Sequence, residues 1–286
     1  MKRIFTSQWP SYELLDAGNG KKLERWGNVV TIRPEKNAYF TAMFSNKQWR
    51  QKAHFEFVEQ TSSQGCWQIL KRGTPTQWTI KYKNLIFNLR LTQFKHIGIF
   101  PEQVVNWEYI ASQIQKENNF LNLFAYTGGS SLVARDCGAK VYHCDSIKQV
   151  VSWAKENMDS SSLTDIHWIL EDALKFALRE VKRKKLYNGI IMDPPAFGLG
   201  RGNSRGNKKQ RWKIETLFPE LIKAASKLLT ANGFLIINTY SPKLNEDKIK
   251  LVVDQYFEKR KIEISKLCIR STTGKIIEYG ELTRIC

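Results

Sequence analysis

The spacing of apolar and polar positions changes character near residue 90. Before it, short runs rich in aromatic and β-branched residues recur with no helical period between them. Strands are expected over 29–33, 39–44, 54–58, 66–70, 78–81 and 86–91, the last two joined by a turn at Lys83-Asn84. After it, Pro101 suits a first helical turn, and Trp107, Ile110, Ala111 and Ile114 follow at helical spacing. From Phe120 the chain alternates strand and helix. Strands are expected over 120–124, 140–144, 166–170, 187–192 and 234–238, the last preceded by a turn at Asn232-Gly233. The intervening helices carry apolar faces, among them Ile147, Val150, Val151, Ala154 and Met158. Two further strand-like runs, 262–269 and 276–282, flank a turn at 272–274. Repeated βα units imply an α/β fold, a Rossmann-like parallel sheet with helices on both faces and an antiparallel C-terminal edge hairpin. A small β-rich N-terminal domain precedes it, giving expected domains of 1–90 and 91–286.

The C-terminal part is organised around 120–145. Gly128 and Gly129 break the first strand, a helix begins at 132–134 and can end at Gly138, and the next strand leads to Asp145. Glycines at a strand-to-helix turn let a ligand approach the backbone, and the helix N-terminus offers N–H groups to an anion. An acidic residue ending the neighbouring strand suits a ribose diol. Dinucleotide sites need G-x-G-x-x-G, which is absent here because Tyr126 and Thr127 precede only Gly128-Gly129. That counts against a nicotinamide- or flavin-dependent oxidoreductase. Asn122-Leu123-Phe124-Ala125-Tyr126-Thr127-Gly128-Gly129 instead resembles the first motif of class I S-adenosylmethionine (SAM)-dependent methyltransferases. An ordinary strand-turn-helix with structural glycines is the alternative.

Composition narrows the partners. Among 286 residues, 45 Lys and Arg against 27 Asp and Glu leave a formal charge of +18, enough to attract a polyanion, of which nucleic acid is the usual one. Charge that only maintains solubility is the alternative. The five cysteines, Cys66, Cys137, Cys144, Cys268 and Cys286, show no C-x-x-C spacing, so neither a disulfide framework nor a zinc cluster is expected. No apolar run approaches the roughly 18 residues of a membrane span, and the N-terminal residues lack a secretory signal's apolar core. The reading is cytoplasmic, with no metal and no membrane. Trp9, Trp26, Trp49, Trp67 and Trp78 crowd the N-terminal part among basic residues. They can serve as core for a small β domain or as stacking surfaces for single-stranded bases, and core is the favoured reading.

Ligands of open α/β sheets lie at the C-terminal ends of the strands. Those ends supply 124–129, Asp145, Asp172 and Asp193-Pro194-Pro195-Ala196-Phe197. A lone Asp after a strand is most often a helix cap, and four such ends in order are far more specific. A carboxylate with proline-fixed carbonyls can accept hydrogen bonds from a base amino or amide group, and Phe197 can stack on the ring. Residues 198–213 read as an exposed loop holding Arg201, Arg205, Lys208, Lys209, Arg211 and Lys213, suited to strand phosphates. A second basic cluster, Lys182-Arg183-Lys184-Lys185, ends a helix, where cations also suit the helix C-terminus.

Taken together, Gly98-Ile99-Phe100-Pro101-Glu102-Gln103, the 122–129 run, Asp145, Asp172 and 193–197 resemble the bacterial 23S ribosomal RNA base methyltransferases of the cytosine-C5 and guanine-N7 group. The similarity covers roughly 85–285 and is nearest to a shorter subgroup with D-P-P-x-F-G, a basic glycine loop and a W-K-[IL]-E run, here Trp212-Lys213-Ile214-Glu215. The resemblance implies a SAM site of Phe100, Gln103, Asn122, Phe124, Tyr126, Gly128, Asp145, Ser146, Asp172 and Ala173. In it Asp145 takes the ribose hydroxyls, Asp172 faces the adenine amino group and Gln103 reaches the methionine carboxylate. It also implies an RNA base as substrate, oriented by Asp193, Pro194, Pro195 and Phe197. Cytosine-C5 transfer needs a cysteine thiolate to add at C6. Where the C5 enzymes carry that cysteine this chain has Tyr240, in Asn238-Thr239-Tyr240-Ser241-Pro242, so direct transfer to a nitrogen is expected. A basic RNA-binding or assembly factor that keeps the fold without catalysis is the rival reading.

Overall fold

The structure, a computed structural model, describes residues 1–7, 9–61, 64–198 and 212–286. The chain packs as two units, one of Ile4–Val105 with Leu267–Tyr279, the other of Met1–Arg3, Asn106–Lys266 and Gly280–Cys286. The boundary expected near residue 90 falls inside the first of these.

Strand β1 is Lys2–Phe5. In the N-terminal unit follow β2 (Tyr12–Gly18), β3 (Lys21–Trp26), β4 (Val29–Pro34), helix α1 (Asn46–Lys52), β5 (Phe55–Glu59), β6 (Gly65–Ile69), β7 (Gln77–Tyr82) and β8 (Leu85–Arg90). Strands β2 to β6 form a five-stranded sheet in sequence order, with β4 and β5 parallel. Strands β7 and β8 make the expected hairpin, whose turn holds Lys83 at φ 51°. Trp9, Trp26 and Trp49 are buried and Trp67 and Trp78 half-buried, so the tryptophans serve the core. Around Trp26 lies a polar core: Arg33 donates to both Glu24 oxygens at 2.7 and 2.9 Å, Tyr12 Oη donates to Glu24 at 3.0 Å, and Lys22 pairs with Glu35 at 3.2 Å. A forked guanidinium satisfies a buried carboxylate that would otherwise be costly.

Residues 39–44, expected as a strand, form a loop instead. Its backbone is claimed by the β2–β3 turn, where Asn19 and Gly20 N–H donate to the Phe40 and Ala38 carbonyls at 2.7 Å each. The apolar run that suggested a strand has no sheet neighbour to pair with.

The C-terminal unit holds α2 (Val104–Gln113), β9 (Asn119–Leu123), α3 (Gly129–Asp136), β10 (Lys140–Asp145), α4 (Lys148–Ser160), β11 (Ile166–Leu170), α5 (Ala173–Lys182) and β12 (Tyr187–Met192). Next come the short β13 (Phe197–Gly198) and β14 (Trp212–Lys213), then α6 (Ile214–Leu228), β15 (Leu229–Thr239), α7 (Glu246–Phe257), β16 (Ile262–Arg270) and β17 (Ile276–Ile285). The eight-stranded sheet has the order β1-β16-β17-β15-β12-β9-β10-β11. Strands β15, β12, β9, β10 and β11 are parallel and β17 is antiparallel to β15, so the fold is the expected Rossmann-like one, with β1 added outside the hairpin. From β9 the chain steps outward through β10 and β11, then returns to β12 on the other side of β9. Ligands of such sheets bind at that reversal, here the C-terminal ends of β9 and β12.

Three local expectations are corrected. The Asn232-Gly233 turn is an irregularity within the single strand β15, whose register against β12 jumps between Tyr187↔Leu229 and Gly189↔Phe234. Ile147 is exposed because it caps α4 rather than joining its inner face, which is Val151, Trp153, Ala154 and Asn157. Ala111 is also exposed, although Trp107, Ile110 and Ile114 are buried as expected.

Glu102, in the 3-10 turn Pro101–Gln103, lies fully buried in the N-terminal unit, and its Oε2 has no hydrogen-bond partner. Burial, only partly offset by Lys22, raises its carboxyl from the ordinary 4.5 to about 7. A raised acid favours the protonated form in the fold, so its contribution is intact below the unfolded value and is lost as pH rises through the folded one. Glu102→Gln should therefore melt with the wild type near pH 4.5 and several degrees above it at pH 8, a gain on the order of 3 kcal/mol. Equal melting temperatures at both pH values would contradict this assignment.

Candidate functional site

The first element of the site is the turn between β9 and α3. Phe124 and Tyr126 adopt φ of 59° and 49°, left-handed conformations that cost roughly 1–3 kcal/mol each in a residue with a side chain. Gly128 follows at φ 88°, where an added Cβ would sit 3.0 Å from Leu132 Cδ1 and 3.1 Å from Ala154 Cβ. At Gly129 a Cβ would meet Trp107 Cζ2 at 2.6 Å, so the glycine pair admits the helix start close against α2 and α4. The surroundings hold the turn in place. Gly128 N–H donates to the Ala125 carbonyl at 3.0 Å, Ala125 N–H to Cys144 at 3.1 Å, and Asn157 Nδ2 to the Thr127 carbonyl at 2.9 Å.

Asp145 ends β10 beside this turn. Its Oδ2 accepts from Tyr126 N–H and its Oδ1 from Ile147 N–H, both at 2.9 Å. Burial raises its carboxyl above the ordinary value, opposed by the N–H groups of Ile147, Tyr126 and Ser146. Each carboxylate oxygen can accept further hydrogen bonds. Ser146 is half-buried immediately after it. Asp172, half-buried at the end of β11, caps α5 by accepting from Lys175 N–H at 3.0 Å, and Ala173 is buried in that helix's first turn. The cap and the site candidate are thus the same residue.

Strand β12 leads into Asp193, half-buried, whose N–H donates to the Leu123 carbonyl at 3.4 Å. Pro194 is buried, Pro195 is exposed and Phe197 is 63% exposed. Phe197 and Gly198 pair antiparallel with Lys213 and Trp212, and Ile214 N–H donates to the Ala196 carbonyl at 3.2 Å. The buried Trp212 donates Nε1–H to the Pro195 carbonyl at 2.6 Å and packs its ring on Phe124 with centroids 5.0 Å apart. That carbonyl, expected from sequence to face a base, is engaged by the indole. Trp212 therefore links the two strand ends, a role sequence reading missed although the W-K-I-E run contained the residue.

Phe124, Tyr126, Gly128, Asp145, Ser146, Asp172, Ala173 and 193–197 thus gather at the C-terminal edge of one sheet. Asn122 is different. Its Nδ2 donates to Ser131 Oγ at 2.9 Å, and Ser131 bonds His143 Nδ1 at 3.0 Å, so the side chain belongs to a buried network under the turn. Burial lowers His143 to about 3, keeping it neutral. Phe100 and Gln103 belong to the N-terminal unit, where Phe100 packs on His96 at 5.1 Å and Gln103 is buried. Lys213 is exposed on β14, whereas Arg201, Arg205, Lys208, Lys209 and Arg211 lie outside the described residues. The 182–185 cluster follows α5 at the N-terminal edge of the strands, opposite the site. There Arg183 pairs with Glu180 and Lys185 lies over the Tyr142 ring.

Trp212→Phe keeps a ring against Phe124 and removes only the N–H. It should cost about 1 kcal/mol in urea unfolding, and Trp212→Ala about 3–5 kcal/mol. Equal costs would show that the ring contributes nothing to the packing.

No protein-family model matches the chain. Among curated proteins, the ribosomal RNA large subunit methyltransferase K/L of Shewanella frigidimarina is 32% identical over 164 residues, 56% of this chain and 22% of that protein. Its counterpart in Pseudoalteromonas translucida is 28% identical over 169 residues, 58% of this chain and 23% of that protein. The chain spans under a quarter of the length of these relatives. Among solved structures, SMU.776 complexed with S-adenosylhomocysteine shares the fold, with a TM-score of 0.76 at 17% identity over 98% of this chain and 76% of that one. The SAM-dependent methyltransferase from Agrobacterium tumefaciens matches with a TM-score of 0.89 at 30% identity over 99% of this chain and 92% of that chain. The donor set fits that cofactor: Asp145 can take the ribose diol, Asp172 an adenine amino group, and the α3 N-terminus an anionic carboxylate. A strand-end carboxylate beside a glycine turn, on a sheet shared almost end to end with that enzyme, makes this chain a member of the SAM-dependent methyltransferases.

Proposed function

We propose that the chain methylates a nucleobase of ribosomal RNA at a nitrogen atom. The observation that carries this is the strand end at 193–197, which sets a carboxylate and an exposed aromatic ring beside the cofactor turn. Bound SAM supplies an electrophilic sulfonium methyl for in-line displacement. The protein's task is then to position and desolvate the acceptor. Asp193 accepts a hydrogen bond from the base's amino or amide N–H, orients that nitrogen toward the methyl and can take the proton the nitrogen releases on methylation. Pro194 and Pro195 restrict the loop backbone, Trp212 fixes the Pro195 carbonyl, and the exposed Phe197 ring stacks on the base. Asp145, Asp172, Tyr126 and Gly128 hold the cofactor in this reading.

The cysteines favour nitrogen over carbon. Cys144, next to Asp145, is fully buried, and burial pushes its thiol well above the ordinary range, so it is unsuited to act as a thiolate. The five cysteines are free, which suits a reducing compartment such as the cytoplasm. Among the described residues no helix is long and apolar enough to cross a membrane. The +18 charge and the basic residues of 198–213 supply sequence-independent affinity for the phosphate backbone. The ribosomal substrate rests on the named activity of the curated relatives.

Asp193→Ala should lower transfer of labelled methyl from SAM to unmodified RNA by at least a hundredfold while SAM affinity, read by calorimetry, stays within about threefold. Parallel loss of both would move Asp193 into the cofactor site. Undiminished transfer would remove it from the mechanism.

A further inference from the structure

The loop 37–44 of the N-terminal unit combines a fixed backbone with exposed apolar side chains. Tyr39 is 88% exposed and Met43 60%, the most open tyrosine and one of the most open methionines described. Such exposure at a frayed segment would mean little, but this loop is pinned along its length. Gly20 and Asn19 N–H groups hold the carbonyls of Ala38 and Phe40, and Glu35 Oε1 accepts from Asn37 N–H at 3.2 Å. The buried Asp16 carboxylate accepts from Phe44 N–H at 2.9 Å, Trp49 Nε1 at 3.0 Å and Thr273 Oγ1 at 2.7 Å. Gly18 lets the loop come this close, since a Cβ there would overlap Ala42 N at 2.2 Å. Burial alone would raise the Asp16 carboxyl, and these hydrogen bonds outweigh it and hold it below the ordinary value.

Charge around the loop is one-sided. Lys52 Nζ lies 4.6 Å from the Phe44 ring centroid and Lys275 Nζ 5.9 Å from that of Phe40, while Lys36 and Lys47 are exposed on either flank. The neighbouring carboxylates are spent inward, Asp16 on the loop backbone and Glu35 on Lys22 at 3.2 Å. Phe44 packs toward the core of Leu23, Val30, Ile32 and Trp49, leaving Tyr39, the half-buried Phe40 and Met43 facing outward. Protein-binding surfaces are depleted of lysine at their centres, whereas single-strand binders set aromatic rings among cations that follow the phosphates.

We infer that the loop 37–44, with Tyr39 as its principal ring and Lys36, Lys52 and Lys275 beside it, is a stacking platform for a single-stranded RNA segment. The inference deepens the proposed function and rests on RNA being the substrate. Its ring faces are sequence-tolerant, because every base has a π-face, so the platform supplies grip while base choice belongs to the methyl-transfer site.

The test uses the full chain and a fluorescent eight-nucleotide oligouridine, followed by anisotropy across a salt series. Tyr39→Ala should weaken binding about tenfold, Tyr39→Phe should restore it, and melting temperature and SAM affinity should not move. Lys52→Gln with Lys275→Gln should flatten the dependence of log affinity on log salt, as expected when phosphate contacts are removed. Tyr39→Ala should also raise KM for RNA in methyl transfer with kcat unchanged. Oligouridine affinity unchanged in Tyr39→Ala would overturn the platform and leave the loop to a protein partner. Wild-type protein that methylates no RNA would instead sink the proposed function, and the two failures are read independently.

Discussion

One carboxylate holds the turn between β9 and α3 in place. Asp145 takes the N–H of Tyr126 on one oxygen and that of Ile147 on the other, tying the end of the β9 turn to the start of α4. The turn needs that tie, because Phe124 and Tyr126 both occupy left-handed backbone that an ordinary residue avoids. Gly128 and Gly129 supply the remaining freedom by letting α3 begin where any side chain would strike Ala154 or Trp107. Beneath lies the Asn122–Ser131–His143 chain, with a histidine kept neutral by burial, so no competing charge sits under the turn. The strained turn and the fixed carboxylate stabilise one another at the C-terminal ends of β9 and β10.

The loop after β12 is held by a different device: Trp212 bonds the Pro195 carbonyl while its ring rests on Phe124. The same ring thereby couples the loop after β12 to the turn after β9. Phe197, paired with Lys213 in the short β13–β14 ladder, is exposed.

Much of this was legible in the sequence because parallel strands buried on both faces read as continuous apolar runs, and their polar ends stand out against them. Asp145, Asp172 and 193–197 were found that way, and the structure gathers them at one sheet edge. Roles fixed by partners distant in sequence were not legible. Nothing in the local pattern tells Asn122, committed to Ser131, from a ligand-facing amide, or gives the Pro195 carbonyl to Trp212. The same limit explains the 39–44 error. Its apolar run is real, but it serves exposure and inward packing around a pinned loop, and the carboxylate that pins it lies more than twenty residues upstream. Ile147 was misassigned for a related reason, since a capping position one residue outside α4 continues the helix period without sharing its inner face.

The account's central claim is that a base nitrogen, oriented by a strand-end carboxylate, receives the methyl without covalent help from a thiol. Digestion of RNA labelled from isotopic SAM, followed by nucleoside mass spectrometry, reads the acceptor atom directly. A labelled N-methyl nucleoside is the result predicted. Labelled 5-methylcytidine would contradict it, because carbon transfer demands a thiolate that the buried, raised Cys144 is unsuited to provide.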